Sequence, residues 1–181
     1  MRKSVVENKG ERTVPSTLST FEFERIYFYV SKKFGHKDKV CLDYGCGSGY
    51  GTNILSGAFL KVIGVDVSID AIDFCVKSFP KRNLLFYPLN TEKRPFDEAT
   101  FDLICSFQVL EHVSTEELQR YLNFIWEMLK AGGKAILTTP NSHNYYRGYS
   151  GNVHHVHEYS YAELVEVMDN YLPRCVKNIF Y

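Results

Sequence analysis

Five short runs rich in β-branched and aromatic residues recur along the chain: KVCLDY (39–44), KVIGVDV (61–67), NLLFYPLN (83–90), FDLICSF (101–107) and GKAILTTP (133–140). Stretches of helical periodicity separate them, near 50–57, 69–79 and 115–130, and a further helix is expected near 161–171. A helix between two strands carries the chain back across the sheet, so that the strands pair in parallel rather than as hairpins. Runs apolar on both faces need cover on both faces. The expected fold is therefore α/β, a doubly wound, Rossmann-like, mostly parallel sheet. Ser114 with Glu117 and Ser160 with Glu163 read as capping boxes at the last two helix starts. Gly132-Gly133 is expected to end the 115–130 helix. Ahead of the first strand, an N-terminal helix within 16–35 is expected on Phe21, Arg25, Phe28 and Phe34, closed by Gly35.

No repeat or linker divides the 181 residues, so one domain spans 1–181, with residues 1–15 loose. Lys plus Arg equal Asp plus Glu at 21 each, which leaves no field to draw the chain to nucleic acid or an anionic membrane. The amino-terminal residues lack the apolar core of a signal peptide, and no run reaches the length of a membrane span. Five cysteines, Cys41, Cys46, Cys75, Cys105 and Cys175, form no CxxC pair. They read as reduced, mostly buried thiols of a cytoplasmic protein rather than as a zinc site.

In doubly wound sheets the ligand sits beyond the carboxyl ends of the strands, at the switch point beside the first strand. CLDYGCGSGYG (41–51) lies there, with glycines at alternate positions. The dinucleotide fingerprint fails, because Tyr50 or Thr52 stands where its third glycine belongs, and the phosphate-binding loop lacks its lysine. What remains is Asp43-x-Gly45-x-Gly47-x-Gly49. A carboxylate there repels a pyrophosphate but attracts an ammonium or sulfonium. S-adenosyl-L-methionine carries both cations and no phosphate, and glycines let it lie against the backbone. Asp66 ends the second strand 17 residues after Gly49, where a carboxylate accepts hydrogen bonds from both ribose hydroxyls.

At these residues the chain resembles the class I S-adenosylmethionine-dependent methyltransferases, from about Gly10 to Phe180. VCLDYGCGSGYG, VIGVDVS, RPFDEATFDLICSFQVLEHV and LKAGGKAILTTPN carry the resemblance. GERTVP (10–15) and NVHHVHEYSYAEL (152–164) look like a bacterial subgroup, methyltransferase type 11/23-like, whose members often accompany sugar or polysaccharide biosynthesis genes. The resemblance implies that Asp43, Gly45, Cys46, Gly47 and Gly49 line the methionyl part and that Asp66 and Val67 grip the ribose. Many relatives place an Asp where this chain has Asn90, whose carbonyl can also accept the adenine amino hydrogen. Phe107 and Gln108 are implied to face the reacting methyl, and 141–160 to form a substrate-side lid loop.

Methyl transfer is an in-line displacement, so alignment matters most, and a base is needed only where the acceptor hydroxyl must lose its proton. Candidate bases are Glu111, His112, His143, His154, His155 and His157, with His155 first and His112 second. The competing reading is structural: Glu111-His112 bracing a loop, and the later histidines solvated. Tyr145, Tyr146, Tyr149, Tyr159 and Tyr161 read equally as an acceptor wall or as lid packing. Some methyltransferases that act on vicinal hydroxyls hold a divalent metal with E-x-x-E-H and a later histidine. Here Gln108 replaces the first acid and is a poorer donor for a hard cation.

Three functions stay open. The first is O-methylation of a small hydroxylated acceptor such as a sugar. The second is metal-assisted RNA 2′-O-methylation, against which the neutral charge argues. The third is a non-catalytic cofactor-binding or scaffold domain. The family's sheet usually ends in two more strands, and CVKNIFY (175–181) supplies one. Either the chain is a fragment, or the sheet is shortened and lacks its last strand, or a second copy or another partner completes the edge.

Overall fold

The structure, a computed structural model, describes residues 18–89, 96–142 and 151–172. In chain order the elements are α1 (Leu18–Phe34), β1 (Val40–Tyr44), α2 (Tyr50–Ser56), β2 (Lys61–Asp66), α3 (Ile69–Ser78) and β3 (Leu84–Pro88). β4 (Phe101–Phe107), a single 3₁₀ turn (Leu110–His112), α4 (Thr115–Met128), β5 (Leu129–Thr138) and α5 (Tyr161–Tyr171) follow. The strands form one parallel sheet in the order β3-β2-β1-β4-β5. The chain winds outward from β1 through β2 to β3, then returns to place β4 on the other side of β1. That reversal opens the crevice where the glycine turn sits.

Residues alternate between two cores, as strands buried on both faces must. Cys41, Val62, Leu84 and Leu103 join Val30, Leu55 and Phe59 on one face. Leu42, Ile63, Val65 and Ile104 join Leu118, Leu122, Ile125 and Met128 of α4 on the other. Cys41, Cys46, Cys75 and Cys105 are buried free thiols, and among the described residues no helix is long and apolar enough to cross a membrane.

The expected N-terminal helix forms, and two later expectations need correction. On α1 the inward face is Ile26, Tyr27, Val30 and Phe34, whereas Phe28 is 56% exposed. Gly35 follows the helix, and its own N–H bonds back to the Ser31 carbonyl at 3.1 Å. Its lack of a side chain is needed for space, because a Cβ would lie 2.6 Å from that of Ala58. At α5 the Ser160–Glu163 capping box is complete. At α4 the Ser114 hydroxyl donates to Glu117 Oε2 at 3.0 Å and caps no backbone N–H. Gly132-Gly133 does not end α4, which stops at Met128 and passes directly into β5. The glycines lie instead where the β4–β5 register slips, from Phe101 opposite Leu129 to Leu103 opposite Lys134. Such an irregularity needs the left-handed backbone that Gly132 adopts (φ 78°).

Residues 1–15, Asn90, His143, Tyr145, Tyr146, Tyr149, Cys175 and CVKNIFY lie outside the described residues.

Candidate active site

β1 delivers Asp43 to the switch point, opposite Gly64 of β2 and Cys105 of β4. Its carboxylate has no solvent exposure. Thr52 Oγ1 donates to one oxygen at 2.6 Å, and the Tyr27 hydroxyl donates to the other at 3.2 Å. Burial pushes its pKa up to about 7, against the pull of those two hydrogen bonds. A carboxylate with both oxygens engaged and no open surface reaches a cation only through its field.

The turn above is tied to β2. Gly45 and Cys46 N–H groups both donate to the Val65 carbonyl, at 2.8 and 3.0 Å. Gly45, Gly47 and Gly49 all have positive φ, at 77°, 51° and 77°. Two of them do different jobs. A Cβ on Gly49 would lie 2.6 Å from Cys75 Sγ and 3.2 Å from the Phe86 ring, so this glycine lets the turn close onto α3 and β3. A Cβ on Gly47 would meet nothing within 4 Å, so this glycine presents bare backbone to open space. That space is what a ligand lying against the turn requires.

Asp66 accepts the Gly47 N–H at 2.9 Å on one oxygen and the Ser68 N–H at 2.8 Å on the other. A carboxylate oxygen offers two acceptor positions, so this half-exposed group can still take hydroxyl hydrogens. Val67 beside it is 76% exposed. Phe107 packs edge-on against Tyr27 with ring centroids 4.9 Å apart. Tyr27 therefore supports both Asp43 and Phe107 from α1, a role its sequence position did not disclose. Gln108 takes a left-handed backbone (φ 56°), and its side chain donates to Thr138 Oγ1 at 3.2 Å. Its amide thus points to β5.

Beyond β4 the 3₁₀ turn meets the 151–158 loop. The Glu111 carbonyl accepts the Val156 and His157 N–H groups at 2.7 and 3.1 Å, which docks the 151–158 loop onto it. The Glu111 carboxyl is buried, with Oε2 accepting from Thr139 at 3.0 Å and Oε1 without a partner among the described residues. Burial raises its pKa. His112 Nδ1 donates to the His154 carbonyl at 2.9 Å, and the His112 and His155 rings meet edge-on at 5.0 Å. One ligand atom from each of Glu111, His112 and His155 lies within 4.8 Å of the others. This donor set suits a divalent ion, and the orphaned Oε1 gives it an open acceptor. The structure thus ties the Gln108 amide to Thr138 and brings Glu111, His112 and His155 together. His154 contributes its backbone, and the His157 ring faces Glu163 at 3.6 Å and packs edge-on against Tyr159. Tyr159 is buried in the core with α4 and α5, while Tyr161 is 43% exposed.

A cavity of about 410 Å³ opens beside His155, lined by Ser142, Asn152, Glu158 and Glu163 among others. Glu158 and Asn152 lie within NVHHVHEYSYAEL (152–164), where attention falls on the histidines and not on these two residues.

The family model described as "Methyltransferase domain" matches residues 42–137, more than half of the chain. A probable S-adenosylmethionine-dependent methyltransferase of Mycolicibacterium smegmatis is 26% identical over 164 residues, covering 88% of this chain and 62% of that protein. A ubiquinone biosynthesis O-methyltransferase of Coxiella burnetii is 30% identical over 115 residues, covering 62% of this chain and 48% of that protein. The chain thus spans about half to three-fifths of the length of these relatives. The YcgJ protein of Bacillus subtilis shares the fold at a TM-score of 0.65 and 18% identity, covering 83% of this chain and 67% of that one. With the sheet order, the glycine turn and the Asp66 acceptor in place, the chain belongs to the class I S-adenosylmethionine-dependent methyltransferase family.

Proposed function

We propose that this protein transfers a methyl group from S-adenosylmethionine to a hydroxyl of a small acceptor such as a sugar, with His155 as the base. The observation that carries this reading is the meeting of Glu111, His112 and His155 in one cluster under the 151–158 loop, beside a cavity. S-adenosylmethionine supplies a methyl on a positively charged sulfur, which departs as a neutral thioether. The chain's residues do the rest. The turn at Gly47 and the Asp66 carboxylate hold the donor, the buried Asp43 favours its positive charge, and a histidine ring takes the acceptor's proton. The O-methylating relative from Coxiella burnetii supports oxygen as the acceptor atom.

The test is turnover of S-adenosylmethionine with a panel of monosaccharides and aromatic diols. General-base catalysis is worth roughly 10²–10⁴-fold. The variant His155→Ala should lose at least about 100-fold in kcat while binding the donor normally. Equal rates in wild type and variant would remove His155 from the role.

A second reading has its own observation. The three donor atoms within 4.8 Å and the unpartnered Glu111 Oε1 favour a divalent ion that lowers the acceptor's pKa. Activity lost to a chelator and regained with a divalent ion supports it; indifference to chelators discards it. The zero formal charge favours a small acceptor over RNA under either reading.

A further inference from the structure

His155 is held at both ring nitrogens by neighbours in its own loop. Its Nδ1 makes a short contact with Glu158 Oε1, and the two side chains are only 10% and 3% exposed. An ionised carboxylate only accepts, so Nδ1 must carry the hydrogen. On the other side, Asn152 Nδ2 lies 3.1 Å from His155 Nε2. The Asn152 carbonyl oxygen accepts the His154 N–H at 3.0 Å, which turns the amide nitrogen toward the ring. An amide nitrogen only donates, so Nε2 must present its lone pair. Two separate neighbours therefore select the same neutral tautomer.

We propose that Glu158 is a positioning residue for the methyl-transfer reaction, holding His155 as the Nδ1–H tautomer so that Nε2 receives the acceptor's hydroxyl proton. This rests on the reading of His155 as base. As the proton arrives at Nε2, the Nδ1 hydrogen stays on the ring, donated to Glu158, and the buried carboxylate balances the imidazolium charge. The Asn152 amide occupies Nε2 in the meantime and yields it to the incoming hydroxyl. A carboxylate that merely braced the loop would select the same tautomer but leave kcat unmoved, so turnover separates the two roles.

The decisive measurement needs neither donor nor acceptor. Ring ¹⁵N chemical shifts of labelled histidine, assigned by the signal lost in His155→Gln, report the tautomer directly. Wild type should show Nδ1 protonated. Asn152→Ala should keep that state, because the carboxylate suffices, whereas removing both partners in Asn152→Ala/Glu158→Leu should shift the ring toward Nε2–H or a mixture. In turnover Glu158→Gln should lose about 100-fold in kcat, with KM, donor affinity and melting temperature near wild type. An Nε2-protonated ring in wild type overturns the proposal whether or not the variant folds. Turnover lost in His155→Ala but kept in Glu158→Gln overturns the role of Glu158 alone. Turnover kept in His155→Ala removes the base itself.

Discussion

Asp43 is a carboxyl that burial moves far from its ordinary state. Its pKa in the fold is about 7, against 3.8 for the free side chain, because burial disfavours the charge. A carboxyl raised in this way contributes stability that is fully present below pH 3.8 and lost as the pH rises through 7. The stability of wild type relative to Asp43→Asn, read by urea denaturation without ligand, should therefore fall between pH 4 and pH 8. A shift of this size converts to about 4 kcal/mol at most. A cationic donor in the crevice favours the ionised form and opposes that loss. Binding of S-adenosylmethionine should release a proton near neutrality, and its affinity should rise from pH 6 to pH 8. Calorimetry in buffers of different ionisation enthalpy measures the proton count, and no release would mean that Asp43 does not sense the ligand. The neighbouring glycines separate fold from binding. Gly49→Ala must push on Cys75 and Phe86 and should cost several kcal/mol, as overpacking with a left-handed backbone does. Gly47→Ala fills only open space, so it should fold with a penalty of about 1 kcal/mol and lose donor affinity.

At the scale of elements, what could be read beforehand was whatever repeats locally. Val62 and Ile63 on opposite faces of β2, and Ser160 with Glu163 at α5, announce themselves by period and spacing. What could not be read depends on partners far along the chain. Tyr27 reaches Asp43 across 16 positions, Thr139 reaches Glu111 across 28, and Gln108 turns to Thr138 across 30. Spacing within an element carries no trace of such meetings. The α1 stripe shows the limit well, since an aromatic-rich helix offers several plausible faces and only packing against α2 chooses one. Substitutions on α1 should divide by that choice. Val30→Ala, fully buried, should cost about 1–3 kcal/mol, and Tyr27→Phe about 1 kcal/mol through its lost hydrogen bond to Asp43. Phe28→Ser on the outer side should stay within about 0.5 kcal/mol. Denaturation midpoints at constant m-value decide it, and a large cost at Phe28 would mean that this face is covered.

For the whole molecule, site and stability are one equilibrium, because a ligand that binds only the folded chain stabilises all of it. The glycine turn joins β1, β2 and α2, while the Glu111 cluster joins the end of β4 to the 151–158 loop, so the two places draw on different contacts in one sheet. At a hundredfold excess over its Kd, one ligand adds about 2.7 kcal/mol. For a chain of this length that corresponds to a rise in melting temperature of roughly 5–10 °C. S-adenosylmethionine should produce such a rise in wild type and in Glu111→Gln, and little or none in Gly47→Ala. If the cluster holds a divalent ion, the ion should raise the melting temperature of wild type and Gly47→Ala alike, and leave Glu111→Gln and His112→Ala unmoved. Added together, the two ligands should then give the sum of their separate shifts in wild type, since sites without shared contacts add. A donor shift that vanished in Glu111→Gln would instead tie the cluster to donor binding, and a flat response to every divalent ion would leave the histidine base to work alone.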